Sequence, residues 1–278
     1  MIQFPLDRLD WRVAAFLSPA TMASLQEQDR EAKRRFFKHL QETQTPQVWD
    51  DAKTKFEEPL YLDGSTYRPF QLWELDPVSA SQRKVQPHQR VQEPGGHFFY
   101  CHRTLPAGEP LKIGQNRRRG RVWFSHDVVI PILAEAKVAI VGNVAIEQTD
   151  TWMSLTPMEM LTQRKAVLLA QGTVLIGGLG LGWLLTKVCQ KKSVERVIVV
   201  EKNQWIMDWI GDRLCEMFPD VQRKVTDWIC DDVYNHVGKH GDETRHLLDI
   251  WPEYGSCDGK FYQFKKTTKH LWGWGDYE

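Results

Sequence analysis

Thr173-Val174-Leu175-Ile176-Gly177-Gly178-Leu179-Gly180-Leu181-Gly182-Trp183 is the stretch that decides the fold. Residues Thr173 to Gly177 form a short apolar run bounded by glycine, as expected of a strand buried on both faces. Gly178, Gly180 and Gly182 alternate beyond it, and Leu181 to Gln190 can open a helix. Glycine lets a strand turn sharply into a helix and brings main-chain amides close to another group. Further along, Arg196 to Val200 is a second apolar strand, closed by Glu201. Asn203 to Phe218 is helical, with Trp205, Met207, Ile210, Leu214 and Phe218 as its apolar positions. Val225 to Cys230 is a third strand, followed by Asp231-Asp232 and a helix near Val233 to Gly238. His246 to Ile250 is a fourth, running into Asp249-Ile250-Trp251-Pro252. Strands alternating with helices predict parallel pairing with right-handed crossovers.

The glycine spacing separates classes of nucleotide site. A dinucleotide fingerprint needs glycine or alanine at its third position, and here Trp183 or Leu185 would stand there. A phosphate loop needs Gly-Lys-Ser/Thr, which does not follow. The spacing GxGxG, on Gly178, Gly180 and Gly182, fits. Glu201 lies 19 residues after Gly182, the separation at which a carboxylate reaches a ribose diol. The plain structural alternative is a glycine-rich turn that holds no ligand.

With these residues the chain resembles the class I S-adenosylmethionine (SAM)-dependent methyltransferases, over roughly Val138 to Pro252. The resemblance implies that the glycine loop wraps the methionine part of SAM and that Glu201 binds the ribose hydroxyls. It implies that Asp231 or Asp232 meets the adenine amine and that Asp249-Ile250-Trp251-Pro252 holds the acceptor. Asp249 would orient the acceptor or take its proton, and Trp251 would wall the site. A small β region and a Glu-Met-bearing helix before the core, as from Gly142 to Gln163, resemble the spermidine-synthase-like branch, which makes Glu159 a further acceptor contact. The chain departs from that branch in having Leu179 and Leu181 where an aspartate is expected, and Asp-Ile-Trp-Pro as its acceptor motif. A methyltransferase of unspecified acceptor is therefore expected, with a non-catalytic SAM- or nucleoside-binding module and an aminopropyltransferase as alternatives.

The expected fold class is α/β: a Rossmann-like, mostly parallel sheet, preceded by a small antiparallel β region and an N-terminal helix. The expected divisions are residues 1–95, helical then irregular; 96–150, β-rich; and 151–278, the SAM-binding core. Ser18-Pro19 marks a helix start. Short strands are expected at Leu60 to Leu62, Phe70 to Leu75, His97 to Cys101, Arg121 to Ser125, Val128 to Leu133 and Lys137 to Val141, with Gly142-Asn143 a turn signal. Thr156, Pro157 and Glu159 have capping-box spacing for a helix to about Ala170. Only 26 residues follow Pro252, too few for three further strands with their helices. The sheet is thus expected to be short, or completed by the N-terminal region or a second copy of the chain.

Composition narrows the classes. Of 278 residues, 42% are hydrophobic, enough for a sizeable core, and twelve tryptophans point to aromatic-lined surfaces or clefts. Lys+Arg and Asp+Glu are both 36, so bulk charge favours neither nucleic acid nor a membrane surface. The basic run Arg117-Arg118-Arg119-Gly120-Arg121 could grip phosphate or nucleic acid, and equally reads as a solvated hairpin tip. The aromatic stretch Leu271 to Gly275 could stack on a planar substrate or dock on its own domain. Five scattered cysteines without a CxxC pair fit free thiols in a reducing cytoplasm. Ala166 to Leu185 is broken by five glycines and Gln171, so it reads as helix, strand and loop, not a membrane span. His97 and His102 would sit on opposite strand faces, and Gly238 interrupts His236 and His240, so no metal site is expected.

Overall fold

The computed structural model describes residues 6, 16–52, 60–79, 85–113, 120–141, 144–252 and 255–276. The Gly142-Asn143 turn and Arg117 to Arg119 lie outside them. The chain divides into two compact units, Met1–Arg68 with Thr104–Val128, and Pro69–Arg103 with Val129–Glu278.

In the first unit, helix α1 (Pro19–Thr43) starts where the sequence predicts: the Ser18 hydroxyl accepts from the Thr21 amide, and proline stands in the first turn. Its apolar positions Phe36, Phe37 and Leu40 gather at its C-terminal part and cover Tyr61 and Trp123. Phe37 stacks on Trp123 with ring centroids 6.1 Å apart. Those two residues lie on β1 (Leu60–Leu62) and β6 (Gly120–Phe124), which pair in parallel, with β5 (Leu111–Ile113) antiparallel on the other edge.

The second unit holds two sheets. One runs β2 (Val78–Ser79), β4 (Phe98–Leu105), β7 (Val128–Val141), β8 (Val144–Ser154), with β3 (Arg90–Gln92) paired to β4. The runs expected at Val128 to Leu133 and Lys137 to Val141 are one long strand, β7, continuous through Ala134 to Ala136 because each residue there pairs with β8. No strand forms at Phe70 to Leu75; aromatic packing fixes that segment instead, with Trp73 against Tyr100 and Trp209. Helix α2 (Pro157–Leu169) follows, opened by the Thr156–Glu159 capping box.

The other sheet is wholly parallel, in the order β11 (Val225–Cys230), β10 (Val194–Glu201), β9 (Gly172–Gly177), β12 (Arg245–Leu248), β13 (Leu271–Gly273). Helices α3 (Trp183–Gln190), α4 (Gln204–Met217) and the short α5 (Pro219–Lys224) connect the first three strands in chain order; α6 (Gly259–Lys265) precedes β13. This is the doubly wound, Rossmann-like order 3-2-1-4-5, one strand longer than the sequence pattern alone specified. The helix expected near Val233 is only a 3₁₀ turn over Val233–Asn235.

Alternation along the central strands fills both faces. Leu175, Ile198, Val200 and Leu248 pack with Val233, Trp251 and Phe261 of α6, while Val174, Ile176, Val197 and Val199 are equally buried towards the other face. Each such side chain contributes about 1.5–3 kcal/mol by leaving water. The aromatic C-terminal stretch docks on its own unit: Leu271 to Gly273 becomes β13, and the Trp274 indole donates to the Thr162 hydroxyl at 2.8 Å. Ala166 to Leu185 is the end of α2, β9, the glycine turn and the start of α3, and no helix among the described residues is long and apolar enough to cross a membrane.

Candidate functional site

In a doubly wound sheet, ligands bind beyond the carboxyl ends of the strands, where the strand order reverses. Here that point lies between β9 and β12. The chain leaves β9 through Gly178, Gly180 and Gly182, all in the left-handed region, at φ +86°, +52° and +79°. The Gly178 amide donates to Val200 O at 2.9 Å, tying the turn to β10. The Asp249 amide donates to Gly177 O at 2.8 Å, tying the end of β12 to the same place. A Cβ on Gly178 would stand 2.2 Å from the Asp249 carbonyl oxygen, so only glycine lets these two main-chain segments meet.

Glu201, at the end of β10, reaches across to this turn. Its Oε2 accepts from the Leu179 amide at 2.8 Å and its Oε1 from the Asn203 amide at 2.8 Å, with 8% of the residue exposed. The sequence places this acid at the turn, and the fold brings it there. Its carboxylate braces the glycine loop as well as standing where a ribose is expected.

At the end of β12, where the acceptor is expected, the Asp249 carboxyl lies within reach of the Glu159 charge. Burial, and secondly the Glu159 charge, push the Asp249 carboxyl up to about 7, against a usual value of 3.8. Burial also raises Glu159, against hydrogen bonds from Ser154 and Thr156. Both Glu159 oxygens are engaged: Ser154 Oγ donates at 2.7 Å and Thr156 Oγ1 at 3.0 Å, and both amides also donate. Glu159 is thus a helix cap that acts on Asp249 through its charge. Gln163 donates its side-chain amide to Asp249 and is 1% exposed. It sits one turn beyond Glu159 on α2, and that i,i+4 spacing was the signal by which sequence could have found it.

The remaining candidates serve their own surroundings. Asp231 accepts from the Asp232 amide and from Asn235 Nδ2 and pairs with His236 Nε2; the Asn235 bond foremost holds its carboxyl below the usual range. Asp232 accepts from the Tyr234 amide at 3.0 Å, capping the 3₁₀ turn. Trp251, expected to wall the acceptor, is 8% exposed and packs edge-to-face on Phe261 at 5.2 Å, which leaves little ring for a substrate. Its neighbour Ile250, 37% exposed, is the residue that faces outward. His102 bonds Tyr100 and the Leu75 carbonyl, and His97 stacks on Trp205; His236 and His240 stack on one another with ring centroids 5.7 Å apart, and among the described residues no cluster of three metal-ligating side chains forms.

One residue near the turn had no sequence signal. Met153, on β8, places its sulfur 3.1 Å from the Leu181 amide. A Cβ on Gly180 would lie 2.0 Å from that sulfur. The hydrogen-bonding groups at the turn are of the kinds SAM needs: the Leu181 amide as a donor once Met153 releases it, and the Glu201 carboxylate as an acceptor whose oxygens can each take a second hydrogen bond.

No family model and no curated protein matches the chain. Among solved structures it is similar to Trm5b from Pyrococcus abyssi, at 13% identity and a TM-score of 0.31 over 58% of this chain and 44% of that one. It is also similar to spermidine synthase from Thermotoga maritima, at 18% identity and a TM-score of 0.34 over 68% and 64%. The chain thus spans less than two thirds of either protein. The fold class rests on the strand order: a Rossmann-like α/β unit with its candidate site at the switch point.

Proposed function

We propose that the chain is a SAM-dependent transferase, most simply of a methyl group, with the acceptor held at Asp249. The observation that carries this reading is the convergence, at one carboxyl edge, of the GxGxG turn, the β10 carboxylate that bonds it, and an acidic residue with its pKa near neutrality. Gly178 to Gly182 and Glu201 would hold the cofactor, which supplies a sulfonium-activated methyl group for in-line transfer to a nucleophile. Asp249 takes the proton that the acceptor loses, a task for which a pKa near 7 suits a general base at neutral pH. Gln163 orients that carboxyl, and burial, with the Glu159 charge second, raises its basicity. The protein's main contribution is to position the two reactants.

Calorimetry with SAM on the wild type, Met153→Ala and Glu201→Ala tests the cofactor half. Binding that weakens in Glu201→Ala supports the reading, and failure of both the wild type and Met153→Ala to bind overturns it. Incorporation of radiolabelled methyl groups into amine, protein or nucleic-acid acceptors, lost in Asp249→Asn, tests the transfer. SAM binding without incorporation into any acceptor favours a binding module.

A further inference from the structure

Three of the twelve tryptophans gather away from the glycine turn. A groove of about 490 Å³ in the second unit is lined by Trp73, Trp205 and Trp209 together with Asp208, Asp212 and Glu216. Helix α4 builds most of it. Trp205 and Trp209 are four residues apart on one stripe, and Asp208, Asp212 and Glu216 repeat at the same interval on the next. A rail of carboxylates about 12 Å long thus runs beside a strip of indole.

The walls are preformed. Trp73 stacks on Trp209 with centroids 4.9 Å apart at 23°, and Trp205 stacks on His97 at 4.0 Å and 10° while 44% of it stays exposed. Arg213 is held away from any visitor: its Nε donates to Leu72 O at 2.6 Å and its NH1 to Glu216 at 2.8 Å. Glu93, also on the lining, spends its carboxylate on the Gly95 and His97 amides, which fixes the loop carrying His97. With Glu216 paired to Arg213 and Glu93 buried on its loop, the exposed carboxylates left on the lining are Asp208 and Asp212, a local negative charge beside the indoles on a chain whose formal net charge is zero.

Exposed indole beside exposed carboxylate selects a group that is both flat and cationic. Guanidinium stacks on tryptophan through its face and bonds carboxylates through its edge, whereas an ammonium does only the second well. We propose that this groove is a docking site for an extended, arginine-bearing peptide segment of a partner protein. It lies outside the turn proposed to hold the cofactor, and its occupancy does not depend on that reading.

Fluorescence anisotropy with a fluorescein-labelled peptide of alternating arginine and glycine tests it on the full chain. The wild type is expected to bind, and to bind the matched lysine–glycine peptide several-fold more weakly. Trp205→Ala is expected to weaken binding about tenfold, and Trp205→Phe to recover most of that loss. Asp208→Asn with Asp212→Asn, both exposed changes, is expected to weaken it by a similar factor and to flatten its dependence on salt. Near-equal binding of a glutamate–glycine peptide, or unchanged affinity in both variants, overturns the proposal. Saturation with SAM is expected to leave these affinities intact.

Discussion

The sulfur of Met153 accepts a hydrogen bond from the Leu181 amide at 3.1 Å, and it fills the space that a side chain at position 180 would need. The turn expected to receive a ligand is therefore closed by the protein's own thioether. Met153→Ala is expected to tighten SAM binding about tenfold, since a weak sulfur contact no longer competes for the amide. Calorimetry checks it; weaker binding in the variant would mean that Met153 belongs to the ligand's own contacts.

Asp249 sets a pH dependence whose sign follows from its raised pKa. Below about 3.8 the carboxyl is protonated in both folded and unfolded chains and costs nothing. Between there and about 7 the folded state holds the extra proton, so stability is lost as pH rises, and the full cost remains above that window. Asp249→Asn is expected to stabilise the fold by about 1–3 kcal/mol at pH 8 and by nothing measurable near pH 3. Melting curves at the two pH values check this. In the wild type, transfer activity is expected to rise through pH 7.

Gly178→Ala is expected to cost about 2–4 kcal/mol. The added methyl meets the Asp249 carbonyl, main chain that cannot rotate away, at a φ of +86°. Gly96→Ala is the control, with positive φ and nothing near the added carbon. It isolates the backbone strain from the clash, and equal urea midpoints for the two variants would contradict the argument.

Glu201→Ala is expected to lose about 1–3 kcal/mol of stability even without ligand, because the Leu179 and Asn203 amides lose their acceptor. Glu201→Gln keeps one acceptor oxygen and should recover roughly half. Denaturant unfolding separates this structural loss from any loss of SAM binding.

The core from β9 to α4 was legible because its signals are local. Glycine punctuation, the apolar period and the acid closing β10 all fall within about thirty residues. The capped starts of α1 and α2 were readable for the same reason. What escaped depends on contacts distant in sequence. Met153 reaches a turn 28 positions away; Gln163 had a local signal in its spacing from Glu159, but the acid it meets lies 86 positions away. The short strand at Leu271 to Gly273 exists only because β12 offers an edge. Leu72 and Trp73 read as a strand but are held by an Arg213 hydrogen bond to the Leu72 carbonyl and by stacking of Trp73 on Trp209, not by a ladder.

The meeting of Gly178 with the Asp249 carbonyl has a consequence for how this crevice could change. The limiting contact there is main chain against main chain, which no substitution can trim, so the gap between turn and acid is expected to resist change. A new preference for bulk or shape would have to be written beside that contact, at Ile250, or along the exposed margin of α2. Variation in those positions, with the turn kept constant, is the evolutionary record that such a geometry would leave.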